Sequence, residues 1–160
     1  MLAQTAFEAV RWSLVGILPP STVVLHVGAT AVSGCLTKGD LDIAIRVSQA
    51  DFASTDVILA DRFARNIGSV RTSEFSAFED RAHALPVGIQ LAVRGSSFDF
   101  FHSFTDALRE DSELVLRYNN LKLAHRGKPM IDYRVAKDAF ITEVLRTRAL
   151  RGSHQDEDLA

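Results

Sequence analysis

The segment Asp40-Leu41-Asp42-Ile43-Ala44-Ile45-Arg46-Val47 constrains this chain more than any other. Leu41, Ile43, Ile45 and Val47 fall on one side of an extended backbone, and Asp40, Asp42, Ala44 and Arg46 on the other. A strand of this kind buries one face and offers two carboxylates on the opposite one. Residues two apart on a strand have Cα atoms roughly 6.5 to 7 Å apart. Two acids at that distance repel unless something positive sits between them. A magnesium ion held by one or two carboxylates and by substrate phosphates is the usual relief. Asp40 and Asp42 are therefore the candidate catalytic and metal-holding pair. The competing reading is a hydrated strand face.

Just upstream, His26-Val27-Gly28-Ala29-Thr30-Ala31-Val32-Ser33-Gly34 runs from a short apolar strand into a turn of small residues. Such a turn brings backbone N–H groups close to a ligand, and phosphate oxygens fit the concavity. Gly28, Ala29 and Thr30 are its candidate phosphate contacts, with a purely structural turn as the alternative. His26, at the end of a buried strand, reads as a satisfied core histidine.

The surrounding pattern predicts helix over 3–18, with Phe7, Val10, Trp12, Leu14 and Val15 as its apolar members, stopped by Pro19-Pro20. Val23–Val27 reads as strand. Ser48 caps a helix expected to run to about 66, with Phe52, Val57, Ile58, Leu59 and Phe63 available to the core. Strands follow over 69–79 and 86–94, and helices over 97–110, 112–126 and 130–150. Central strands with closing helices imply an α+β fold, a small mixed sheet flanked by helices. One domain over 1–150 is expected, with 151–160 as a flexible polar tail.

Composition narrows the function classes. With 160 residues, 47% hydrophobic and 24% charged, the chain has enough apolar material for a core. A net charge of −2, from 18 basic and 20 acidic residues, gives no strong nucleic-acid signal. A single cysteine, Cys35, excludes an internal disulfide and suits a reducing compartment. No run approaches a membrane span, and Met1-Leu2-Ala3-Gln4-Thr5 lacks the start of a signal peptide, so a cytoplasmic location is expected. Ser33 has no His–Asp helper, so hydrolase chemistry is not supported.

The two motifs together resemble the GrpB family. That family carries a similar His-Ile/Val-Gly-Ser-Thr-x-Val-Pro-Gly turn followed by Lys-Pro-x-x-Asp-Ile, matched here by residues 26–34 and by Lys38-Gly39-Asp40-Leu41-Asp42-Ile43. Phe104-Thr105-Asp106-Ala107-Leu108-Arg109, Tyr118-Asn119-Asn120-Leu121-Lys122 and then Tyr133, Lys137, Phe140 and Ile141 continue the likeness, which covers roughly residues 24 to 145. GrpB proteins are similar in turn to the nucleotidyltransferase superfamily, with its polymerase-β-like core. The resemblance implies Mg²⁺ on Asp40 and Asp42 and a nucleoside triphosphate, or another phosphorylated small molecule, as partner. It implies nucleotide or phosphate contact for Lys38, Gln90, Arg109, Lys122 and Lys137. Each basic residue has a plainer reading; Arg109, for instance, can pair with Asp106 or Asp111.

The departures are specific. Ala29 stands where the family has serine, and Ser33 where it has proline. Asp40 is an addition that restores the superfamily's Asp-x-Asp. Gln90 stands about where the family has a histidine and the wider superfamily a third acid, so a second metal would lack its negative ligand. The implied activity is metal-dependent transfer of a nucleoside monophosphate to an unknown acceptor. A non-catalytic binder of a nucleotide or phosphometabolite is the alternative, and a module that keeps only the scaffold is a third.

Overall fold

The alternation at residues 41–47 sets the centre of a sheet. In the computed structural model, which describes residues 2–82 and 84–157 (153–157 by backbone alone), β2 spans Leu41–Val47. Leu41, Ile43, Ile45 and Val47 are sealed from solvent, and Asp42 and Arg46 lie half-buried on the other face. β1 (Val23–Val27) pairs with it antiparallel, Val27 opposite Asp42. β5 (Val87–Val93) pairs on the other side in parallel, setting Gly88 beside Asp42 and Gln90 beside Ala44. β4 (Phe75–Asp80) and the two-residue β3 (Ala64–Arg65) complete a mixed sheet of order β1-β2-β5-β4-β3. The parallel β2–β5 pair needs a long crossover. Residues 48–86, which hold α2 (Gln49–Ala60), supply it.

The chain forms two compact units. The first holds residues 1–32 and 37–102, and the second holds 33–36 and 103–160. In the first unit, α1 (Leu2–Leu14) and α2 cover the apolar face of the sheet. Phe7, Val10 and Leu14 of α1 and Phe52 and Leu59 of α2 join the core residues of β2, Phe78 and the inward side chains of β5. The opposite face is covered in part. Phe98 and Phe101 pack on Phe75, Ala77 and Ala92, with Phe75 stacked on Phe98 at 5.0 Å and on Phe101 at 6.0 Å.

Several boundaries differ from those the pattern predicts. α1 stops at Leu14, because Gly16 takes a left-handed φ of 82° and turns the chain before the prolines. Trp12 and Val15 are exposed, off the Phe7–Val10–Leu14 stripe. α2 ends at Ala60, with Val57 exposed. The residues expected to extend it instead put Ala64 and Arg65 in register with Glu79 and Phe78. The cause is tertiary. The Arg65 guanidinium donates to both oxygens of Asp56, at 3.0 and 2.7 Å, and this fixes the chain reversal. The strand expected over 69–79 begins only at Phe75 and continues to Asp80.

In the second unit, α3 (Phe101–Glu110, from Ser103), α4 (Ser112–Ala124) and α5 (Met130–Glu157) surround an aromatic trio. Tyr118 stacks on Phe140 at 5.5 Å, and Phe104 meets Tyr118 edge-on at 5.4 Å. Asp111 caps α4 by accepting from the N–H groups of Glu113 and Leu114. α5 runs on to Glu157, beyond the helix end expected at 150; residues 158–160 of the expected tail lie outside the described residues. Among the described residues no helix is long and apolar enough to cross a membrane.

The buried Asp56 ties α2 to β3 and β4. Besides Arg65, it accepts from Arg71 at 3.1 Å and from Ser76 at 2.7 Å. The Arg65 hydrogen bonds outweigh burial and, with Ser76 and Arg71, hold its carboxyl at about 2, against an ordinary 3.8. Since the folded pKa lies below the unfolded one, this stabilisation is present above about pH 4 and lost as the pH falls toward about 2. It amounts to about 2 kcal/mol. Asp56→Ala leaves the buried Ser76 hydroxyl without its acceptor and is expected to cost about 2 kcal/mol. Urea unfolding from pH 7 to pH 2 checks both: the variant should lose part of the acid-side slope of the wild type, and an unchanged slope would remove Asp56 from the account.

Candidate functional site

The site is built where β1 ends and β2 and β5 begin. Beyond Val27 the chain turns at Gly28, with φ 76° and ψ −169°, a backbone region open to glycine alone. A short 3-10 turn, Ala29–Ala31, follows, closed by the N–H groups of Ala31 on Gly28 O and Val32 on Ala29 O. The strand ladder then places Asp42 beside both Val27 and Gly88.

Two glycines form the seat of the Asp42 carboxylate. A Cβ on Gly28 would lie 2.5 Å from Asp42 Oδ2, closer than any real contact. A Cβ on Gly88 would lie 3.1 Å from Oδ1. The carboxylate thus rests against backbone on two strands, and no side chain can be added on either side without moving it. Glycine inside a strand marks such a close approach.

Asp40 is placed differently from the expectation. It stands one residue before β2 and is exposed, because the ladder begins at Leu41, whose N–H goes to Pro86 O. Strand alternation therefore does not fix its side chain. Its backbone is fixed instead: Thr30 Oγ1 donates to Asp40 O at 3.0 Å and meets His26 Nε2 at 3.0 Å. His26 is buried, stacked on Phe7 at 5.3 Å, with Nδ1 at 3.1 Å from Gln4 Oε1. A chain of contacts runs from α1 through His26 and Thr30 to the entrance of β2. The Thr30 hydroxyl, a candidate phosphate contact, is engaged in that chain.

Lys38 is exposed in the loop that leads to Asp40, and Gln90 follows Gly88 by two residues on the Asp42 face of β5. Glu79 shares that face on β4, opposite Gly88, and lies 3.7 Å from Arg81. Among the described residues no group of three or more His, Cys, Asp and Glu side chains is arranged for one ion.

The far end of the same face is closed by Arg46 and Asp99. The guanidinium donates from Nε at 2.6 Å and from Nη2 at 2.8 Å, a bidentate pair. Burial raises the Asp99 carboxyl, but Arg46 and the Gly95 N–H outweigh it, and the net direction is downward.

Arg109, Lys122 and Lys137 belong to the second unit. Arg109 pairs with Asp106 at 3.3 Å. Lys122 donates to Leu36 O at 2.5 Å and lies over the Tyr118 ring at 4.1 Å. One turn earlier, Asn119 clamps the same loop, accepting from Leu36 N and donating to Gly34 O, both at 2.8 Å. Lys137 stands on α5.

Comparison with known proteins adds the ancestry. The GrpB protein family profile matches residues 3–147. The chain belongs to the GrpB family. A UPF0157 protein of Vibrio cholerae is 34% identical over 132 residues, which cover 82% of this chain and 70% of that protein. The conserved protein GrpB from Enterococcus faecalis superposes with a TM-score of 0.72 at 21% identity, covering 94% of each chain. The Cid1 poly(U) polymerase, in a structure with Mg 3′-dATP bound, matches with a TM-score of 0.54 at 13% identity, over 77% of this chain and 40% of that one. This GrpB protein therefore has a nucleotidyltransferase-like α+β fold.

The motifs give no role to Gly88, whose signal is a glycine early in an otherwise apolar strand. They give none to the side chain of Asn119 or to the Arg46–Asp99 pair, which no spacing announces. Gly28→Ala combines a forbidden backbone with a clash and is expected to cost about 2 kcal/mol. Gly88→Ala violates no backbone preference and is expected to be the milder. Thermal melts of both variants check the order; a Gly28→Ala chain as stable as the wild type would show that the seat is looser than its geometry.

Proposed function

We propose that this GrpB protein is a magnesium-dependent nucleotidyltransferase, moving a nucleoside monophosphate from a triphosphate to an acceptor hydroxyl. The observation that carries the reading is the Asp42 carboxylate seated between Gly28 and Gly88, beside a small-residue turn. Carboxylate oxygens are hard donors that suit Mg²⁺. The two glycines let backbone, and not a side chain, lie against the carboxylate. Asp42, with Asp40 at the entrance of the same strand, would hold the cation. A divalent ion there supplies charge stabilisation for the phosphate oxygens.

The chain's own residues do the rest by position. The Gly28–Ala29 turn brings backbone close to the phosphates, and Lys38 adds a positive charge at the strand mouth. His26 and Thr30 hold the turn against the start of β2, so that turn and acids keep their spacing. The acceptor oxygen forms a bond to the α-phosphorus and gives its proton to solvent, the bridging P–O bond to the β-phosphate breaks, and pyrophosphate leaves. Catalysis of this type is largely positioning and electrostatics.

A second reading is favoured by two positions. Ala29 lacks the hydroxyl of the family serine, and Gln90 brings no charge. On that reading the same seat binds a nucleotide or another phosphorylated metabolite without turnover.

Titration of ATP, GTP, CTP and UTP with and without Mg²⁺ tests both. Metal-dependent binding that falls at least about tenfold in Asp42→Asn, with pyrophosphate released on incubation, is the expected result. Binding indifferent to metal would favour the second reading. If none of the four binds, the seat does not serve nucleotides.

A further inference from the structure

The end of the α4–α5 hairpin combines two properties that a surface facing only water does not need together. The first is charge. Residues 114–151 hold nine Lys or Arg against three Asp or Glu, in a chain whose net charge is −2. Some of the nine are matched: Arg117 pairs with Glu143, and Arg148 with Glu110. Arg126, Lys128 and Arg134, in or next to the turn that joins the helices, are exposed and belong to no ion pair among the described residues. The second is apolar surface left in water. Leu123, in the last turn of α4, is 47% exposed, and Met130, Ile131 and Val135, in the first turns of α5, are 51, 69 and 65% exposed. Ile131 and Val135, one turn apart, form a short stripe on the side of α5 away from the buried Phe140. The turn itself is well held. Gly127 takes a φ of 76°, Lys128 N donates to His125 O, and the His125 ring lies 6.1 Å from that of Tyr133. Every residue from 126 to 132 is exposed, so this end offers contacts without a pocket.

We infer that this end of the hairpin docks on an anionic lipid surface, Ile131 and its apolar neighbours entering the headgroup layer while Arg126, Lys128 and Arg134 meet the lipid phosphates. Apolar side chains rimmed by basic ones are what an interfacial anchor presents. A protein partner is held by anchors that fill pockets, mostly aromatic or Arg, and single-stranded nucleic acid by aromatic side chains that stack on bases. The exposed apolar side chains here are Leu, Met, Ile and Val, with no pocket beside them. Asp132 is the one acid between 126 and 134, and it lies in the first turn of α5, at the positive end of the helix dipole. Three cations therefore face the surface against one anion. Each basic side chain near an anionic leaflet adds attraction, and salt screens it. An anchor of this size gives reversible attachment, and it is independent of what Asp42 binds.

Flotation of the full-length chain with lipid vesicles tests this. Vesicles of phosphatidylcholine alone are compared with vesicles of phosphatidylcholine and phosphatidylglycerol in equal parts, at low and at high salt. Binding to the anionic vesicles only, weakened by salt, is expected. Arg126→Glu together with Lys128→Glu should weaken it at least about tenfold. Ile131→Ser should weaken it several-fold, which a purely electrostatic contact would not show. All three positions are exposed, so the variants should melt with the wild type, and a circular dichroism melt checks this. Should the charge reversal melt early, Arg126→Gln with Lys128→Gln takes its place. Equal binding to pure phosphatidylcholine, no binding to either vesicle, or anionic binding untouched by the charge changes or by Ile131→Ser would overturn the inference. A single-stranded RNA oligomer is the competing polyanion. If the chain binds it and leaves the anionic vesicles alone in the same salt, this end serves a nucleic acid and the lipid assignment fails.

Discussion

The carboxylate of Asp42 rests against two strands' worth of backbone, and that contact sets what the sheet end can do. A Cβ at residue 28 would fall into the space Oδ2 fills, and one at 88 would press on Oδ1. Glycine at 28 is required twice over, by the clash and by a φ of 76° with ψ near 180°. The turn, the β1–β2 register and the seat are therefore one constraint expressed at three levels. Moving the register by one residue would carry Asp42 to the apolar face, among Leu41, Ile43 and Ile45. The hydrophobic pattern of β2 thus secures the acid as firmly as it secures the core.

Around that seat the molecule keeps its other buried charges matched. Asp56 is held by two guanidinium groups and a hydroxyl, and Asp99 by Arg46 and a backbone N–H. Both pairs lock loops to the sheet: Asp56 holds the reversal after α2, and Asp99 the turn that leads into α3. Their positions frame the site by closing the rest of the sheet. Phe98 and Phe101 complete the cover over Phe75, Ala77 and Ala92. Gly28, Asp42 and Gly88 stand together at the other end of that face.

Much of this was legible in the residues. β2 and β5 follow from strict alternation, and the turn after β1 from its glycine and small neighbours. Two carboxylates beside a buried strand ask for a counter-charge, which makes Asp40 and Asp42 candidates together. What stayed hidden depends on partners distant in the chain. α2 ends early because Arg65 finds Asp56, nine residues back, and because Ala64 finds β4. Trp12 and Val15 are apolar yet lie off the buried stripe of α1. Asp40 continues the alternation in letters but not in hydrogen bonds, since the β1–β2 ladder stops at Asp42 and the β2–β5 ladder at Leu41. Lys122 matches a family position, yet matching gives identity and not the atom it contacts, which here is the carbonyl of Leu36.

The balance of charge at the sheet end bears on which reaction it can support. Two acids on or beside β2 and a neutral amide on β5 make a site that is less negative than three carboxylates would be. On the proposed reading, such a site would meet a triphosphate, which brings its own negative charge, with less repulsion than three carboxylates would.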